Sequence, residues 1–257
     1  MSAPTGAFAP RPGAAPLHRM VLAQASMEAR LMLRNGEQLL LAVAIPLIVL
    51  VGAVQGADRV GLEFSDPAVD VFTPGVLALA VMSTAFTSLA IATGFERRYG
   101  VIKRLGSSPL PRTGLLAGKI GALLLVEALQ VLVIALVAQL LGWNPTVSVP
   151  GVVLTIVAGT AAFAALGLLL AGALRAEATL AAANLVYLLL MAGGAVVLPS
   201  SAYGAFGDVV RWLPSGALGD GMRDALADGT TPWTSLAVLT GWAVVGSALT
   251  ARTFRWE

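Results

Sequence analysis

Apolar and polar stretches alternate along the chain on a scale of about twenty residues. Six apolar segments stand out, at residues 39–54, 75–94, 115–141, 152–174, 180–198 and 235–251. A helix needs about 20 residues to cross a bilayer, with a range of roughly 17–25. The pattern predicts an all-α membrane protein with six transmembrane helices. The first segment is slightly short and contains Pro46, which membrane helices tolerate when neighbours satisfy the freed carbonyl. The third is long enough to tilt or to project beyond the bilayer.

The segments between the spans carry their own patterns. Residues 1–16 are rich in Ala, Pro and Gly and read as a disordered leader, with no apolar core directly after them to make a signal peptide. Residues 17–257 read as one six-span domain. Over residues 17–35 a helical wheel puts Arg19, Ser26, Arg30 and Arg34 on one side. Leu17, Met20, Val21, Met27 and Leu31 fall on the other, with Gln24 and Glu28 among them. This predicts an amphipathic helix in the membrane interface, with a solvated linker helix as the alternative.

The loop 95–118 opens with a charged stretch, 96–105, that has helical character although Gly100 weakens it. Gly106 then stops it, and Ser107-Ser108-Pro109-Leu110-Pro111 turns the chain back. By charge alone the loop is a topological anchor on anionic headgroups. Its Tyr, Val, Ile and Leu suggest instead a folded element with a docking face. The loop 199–234 mixes apolar and charged residues. It predicts two short helices, 201–213 and 215–227, returning partly into the outer leaflet, or else an ordinary surface loop.

Charge orients this topology. With the N-terminus in the cytoplasm, every Lys and Arg except Arg59, Arg211 and Arg223 lies inside, from Arg11 to Arg255. Asp58, Glu63, Asp66, Asp70, Asp208, Asp220, Asp224 and Asp228 lie outside. Basic residues near span ends set orientation, so both termini are expected inside. Trp143, Trp212 and Trp233 fall near the outer boundary and Trp256 near the inner one, as an aromatic belt would place them. The chain has 257 residues, 57% hydrophobic and only 12% charged. That composition disfavours a disordered chain and an ordinary soluble enzyme. The pI near 9.4 follows from the inside positive charge rather than from a nucleic-acid surface.

Candidate chemistry is sparse. There is no cysteine and one histidine, His18, so thiolate and histidine-cluster metal sites are excluded. The nearest approach to a phosphate loop, Gly114-Leu-Leu-Ala-Gly118-Lys119-Ile120, is one residue short between its glycines. It also puts Ile120 where a Mg²⁺-binding Ser or Thr belongs. No nucleophile elbow, zinc-protease motif or catalytic triad is present. Glu127 is the one acid inside a predicted span. Gln130 shares its face. An intramembrane acid is a candidate pathway or proton site, or a packing contact. Asn184 and Tyr187 share a face of the fifth span and read as packing.

The sequence Glu96-Arg97-Arg98-Tyr99-Gly100-Val101-Ile102-Lys103-Arg104-Leu105-Gly106-Ser107-Ser108-Pro109-Leu110, with Gly118-Lys119 beyond it, resembles the membrane permeases of ABC-2 type ABC transporters. This class includes drug, polysaccharide and lipid exporters. The family pattern is an acidic-basic start, a Gly, an apolar pair, a Leu and a small-residue-Pro turn ending in Gly-Lys. Val101-Ile102 and Ser108 stand where the family usually has Thr-Leu and often Thr. Glu28, Arg30 and Arg34 of the first helix, and the Pro214…Arg223 stretch, also fit, so the resemblance covers residues 17–254.

The resemblance implies that 96–105 is a coupling helix seated in the cleft of a separate ATPase. Glu96, Arg97 and Arg98 would make its polar contacts, and Val101, Ile102 and Leu105 its apolar ones. It implies an interfacial helix touching the same ATPase and two external helices capping the pathway. It further implies two ATPase copies, a second permease chain identical or paralogous, and ATP with Mg²⁺ in the partner only. An amphipathic drug or lipid would be exported across a bacterial cytoplasmic membrane. Two other readings remain at this stage: an ion-coupled transporter or channel using Glu127, and an integral membrane enzyme or passive scaffold.

Overall fold

The computed structural model describes residues 15–60 and 66–253, with backbone alone at 37–41, 58, 60 and 106. The leader up to residue 14, Arg11, Glu63, Arg255 and Trp256 lie outside the described residues. Among those described there is no strand. The helices are α1 (Leu17–Arg34), α2 (Gly36–Val60), α3 (Ala68–Arg98), α4 (Val101–Gly106), α5 (Arg112–Leu140), α6 (Val149–Ala173), α7 (Ala176–Gly193), α8 (Gly207–Val210), α9 (Pro214–Leu226) and α10 (Trp233–Thr253).

Five of them, α3, α5, α6, α7 and α10, are long and apolar enough to cross a membrane. In α2 the apolar stretch among the described residues is shorter, Ala42–Ala57. Each predicted segment falls on a helix, but not end for end: α7 stops at Gly193, so residues 194–198 of the fifth segment lie outside it, whereas α3 starts at Ala68 and runs on through Arg98. At 1.5 Å per residue its 31 residues span about 46 Å, more than a hydrocarbon core.

α3 lies at the centre, with Val76, Leu79, Ala80, Val81 and Met82 fully buried. One turn of it, Ser83–Ser88, is a π-helix. α6 packs against α10, α9 and α3, and α1 lies along α5. The exposed surface is apolar: along α5, Leu125, Leu129, Leu132, Leu136 and Leu140 face outward while Glu127 and Gln130 are buried. This reversal of the soluble pattern is what a lipid solvent requires, since hydrocarbon rewards exposed Leu and penalises exposed polar groups. Within lipid, close helix packing replaces water exclusion as the cohesive force.

Candidate functional site

The α4 end of the bundle is built around a break. The charged stretch 96–105 is two helices rather than one, because α3 ends at Arg98 and the chain turns at Gly100 with φ +68°. A side chain at that dihedral is strained, which is why glycine stands there. α4 then runs for six residues. Ser107 and Ser108 donate to the carbonyls of Arg104 (2.7 Å) and Leu105 (2.6 Å), closing its last turn.

The base of this loop is clamped to the bundle. Lys119 Nζ on α5 lies 2.8 Å from Glu28 Oε1 on α1 and 2.7 Å from Glu96 Oε1 on α3. Gln24 Nε2 donates to the same Glu28 oxygen at 2.8 Å. The lysine side chain is 6% exposed and its partners 12% and 20%. Three elements therefore meet on one ammonium, which a lysine's three donors can satisfy. Arg97 donates to the Ala171 and Leu174 carbonyls at the end of α6, and Arg98 pairs with Glu177 at the start of α7.

Ile102 turns inward and is buried. The opposite face of the loop is open: Tyr99, Val101, Lys103 and Arg104 are exposed and Leu105 is half-buried. Of the six residues expected to form the coupling contact, Glu96, Arg97 and Ile102 face the bundle, Arg98 is exposed and pairs with Glu177 at its edge, and Val101 and Leu105 lie toward the open side. On α1, Glu28 enters the clamp while Arg30 and Arg34 are exposed. Exposed Leu17, Met27 and Leu31 flank the buried Gln24 and the half-buried Glu28.

α1 reaches the clamp because α5 is narrow there. A Cβ on Gly118 would stand 2.7 Å from Gln24 Cγ, so only glycine lets the two helices approach this closely. The glycines that mimic a phosphate loop are thus a seat for α1.

Deeper in the bundle, Glu127 is fully buried and its Oε2 accepts from Thr160 Oγ1 on α6 at 2.6 Å. Gln130 Oε1 accepts from Thr84 Oγ1 in the π turn at 2.9 Å. Gln130 Nε2 donates to the Ala42 carbonyl at 3.0 Å. Ala42 stands four residues before Pro46, which has no N–H, so Gln130 satisfies the carbonyl that the proline frees. The two residues share a face as expected and lock α5 to α6, α3 and α2.

Beside the π turn lies a cleft of about 490 Å³ between α2, α3 and α7. Its wall is mixed: Ile45, Ile91 and Phe95 alternate with Ser83, Thr87, Asn184 and Tyr187. Asn184 and Tyr187 therefore both line this space. The π turn has the effect of presenting several hydroxyls to it, and such turns recur at functional sites.

At the far end, the predicted external helices are a 3₁₀ turn (Ser200–Phe206), α8 and α9. Arg223 on α9 donates to the Val196 carbonyl at 3.0 Å and to that of Val197, and pairs with Asp220 Oδ1 at 3.2 Å. Asp220 also accepts from the Ser200 N–H at 3.2 Å. Burial pulls the Arg223 guanidinium below its usual value and the Asp220 carboxylate pulls it back; it stays charged at neutral pH.

Sequence reasoning did not find the Lys119 clamp, the π turn or the Arg223 bracket. Two polar residues on the apolar face of α1 were the available signal for the first. Among the described residues no group of three His, Cys, Asp or Glu is placed to hold a metal ion. A search of curated proteins returned no match. The family model described as ABC-2 family transporter protein matches residues 39–252, which takes in every apolar segment and both ends of the bundle. The chain belongs to the ABC-2 family of transporter proteins and is a multi-pass membrane protein.

Proposed function

We propose that this chain is the permease subunit of an ABC exporter, crossing a bacterial cytoplasmic membrane six times with both termini inside. α2 is the sixth span: it is 25 residues long, and its described apolar core is flanked by residues 37–41. Two such chains form the path, and separate ATPase subunits carry ATP and Mg²⁺. The observation that carries the reading is the division of the loop end into a clamped base and an open tip. Tyr99, Val101, Lys103, Arg104 and Leu105 meet the ATPase. Glu96, Arg97, Arg98 and Ile102 act by holding α4 to α3, α6 and α7. Closure of the ATPase pair displaces the tip. The Lys119 clamp passes that displacement to α1 and α5 together, and the Arg97 and Arg98 contacts pass it to α6 and α7.

The substrate is an amphipathic or hydrophobic molecule. The cleft between α2, α3 and α7 supports this, since its mixed wall carries several hydroxyls and the two amides of Asn35 and Asn184 but no charged residue. A size of about 490 Å³ suits part of a drug or lipid, and a two-fold partner doubles the space. Glu127 is sealed in packing, which supports a helix-locking role over an open ion path.

Mild-detergent purification of the tagged chain from its native host tests the proposal. A stoichiometric ATPase subunit and ATP hydrolysis are expected. Replacing Val101 by Asp and Arg104 by Glu together should abolish that association and leave the melting temperature unchanged. A clean preparation without an ATPase, under conditions that preserve other complexes, contradicts the reading.

A further inference from the structure

A second cavity, of about 330 Å³, lies beside α4 and apart from the cleft at α2. Leu115 on α5, Leu168 on α6, Ala251 on α10, Ile102 on α4 and Thr93 on α3 all line it. Its wall is almost wholly apolar, and a dry apolar cavity of this size accepts apolar guests because water gains no hydrogen bonds in it. The volume falls at the lower end of the range for small-ligand sites.

Thr93, Lys119, Ser247 and Thr250 are the polar residues of the wall. Thr250 already donates to the Ala165 carbonyl at 3.0 Å and Ser247 stands at the mouth, so Thr93 is the one that sets the chemistry of the guest. Thr93 is 2% exposed, and its Oγ1 has no hydrogen-bond partner among the described residues. A buried hydroxyl left unpaired is costly. Thr93 is itself part of the cavity wall, within reach of a guest hydroxyl. The single charged residue in the wall, Lys119, already commits its ammonium to Glu28 and Glu96, neither of which lines the cavity. No free charge therefore faces the space, and a charged head would have no counter-ion. The mouth lies at exposed Ser247 and Ala251 of α10, a helix whose Val244 and Val245 are also exposed, so entry is from the bilayer side.

We propose that this cavity is a binding site for an uncharged, hydroxyl-bearing amphiphile of medium chain length, its head on Thr93 and its chain against Leu115 and Leu168. Ile102 forms part of the wall, so occupancy fixes the position of α4. That consequence for coupling rests on the permease reading; binding itself does not.

The test is photolabelling of the full chain in lipid nanodiscs with a diazirine-bearing octanol, mapped by mass spectrometry. Saturable labelling of the peptides holding Leu115 and Leu168, competed by n-octanol, is expected. Ala251→Leu, at an exposed position, should block the mouth and abolish it. Thr93→Val, close in shape, should weaken octanol competition about three- to tenfold, and Thr93→Ser should restore it. Labelling that rises without saturation, or that is equal in Ala251→Leu, overturns the site. Unchanged competition in Thr93→Val overturns the assignment of the head group.

Discussion

Each end of the bundle is fastened by one buried cation, but the fastenings differ in what they hold. Lys119 is gripped by two carboxylates that belong to other helices, Glu28 on α1 and Glu96 on α3. Arg223 takes its carboxylate from its own helix, at Asp220, and donates from Nη2 to the backbone carbonyls of Val196 and Val197. A guanidinium offers donors in a fixed plane, which suits immobile carbonyls. An ammonium on a flexible stem suits side chains that move. The difference teaches that the far end ties one helix to fixed backbone, whereas the α4 end ties three helices together through side chains, as the proposed transmission of motion requires.

Breaking the far bracket should have the largest effect on stability. Arg223→Ala leaves two carbonyls and Asp220 without their partner, and a loss of about 3 kcal/mol is expected from the removal of one member of a buried pair. Thermal unfolding in detergent measures it. Arg223→Lys should recover less than half, because one ammonium does not span both carbonyls; full recovery would show that charge alone matters there.

Breaking the near clamp should cost less stability and more function. Lys119→Met leaves Glu28 and Glu96 facing each other but strips no backbone carbonyl of its donor, so about 1–2 kcal/mol is expected. Transport should fall further than this melting change accounts for. Adding Glu28→Gln and Glu96→Gln should restore the melting temperature and leave transport low, which separates packing from transmission.

Gly118→Ala sharpens the comparison by moving α1 alone. The added methyl meets Gln24, and overpacking of this kind costs about 1 kcal/mol. Spin labels on α1 and α5 should report a wider separation.

The smallest effect concerns pH. Burial raises the Asp224 carboxyl, and the Asp228 and Asp220 charges add to the rise. A raised acid favours the fold below its unfolded pKa and loses that contribution as pH rises through the folded value. Asp224→Asn should therefore raise the melting temperature slightly more at pH 8 than at pH 5.

The apolar pattern was enough to place the five helices of spanning length and the shorter apolar stretch of α2, because length and hydropathy are local properties of sequence. Their ends were less legible: α3 continues for several polar residues at both ends, since nothing in hydropathy stops a helix at the bilayer surface. The loop was recognisable from its charge mix and Pro turn, yet its inside and outside were not. Arg97 and Arg98 look alike to Lys103 and Arg104 in a charge count. Only the arrival of α6 and α7 from some 75 residues away decides that Arg97 turns in to the Leu174 carbonyl and that Arg98, still exposed, is tied to Glu177. Gln130 was noticed as a polar neighbour of Glu127, but its link to Pro46 depends on how α5 crosses α2. The glycines before Lys119 resemble a phosphate loop in sequence; their packing role needed α1 in place.

The central claim is that the tip of the loop, and not its base, meets an ATPase. The chain has no cysteine, so single cysteines at Val101, Arg104 and Arg97 can be compared without background. Each would be cross-linked in native membranes with a short thiol-to-amine reagent, and the products identified by mass spectrometry. The account predicts an ATPase subunit captured from Val101→Cys and Arg104→Cys and none from Arg97→Cys. Capture from Arg97→Cys alone, or no ATPase from any position, would contradict it.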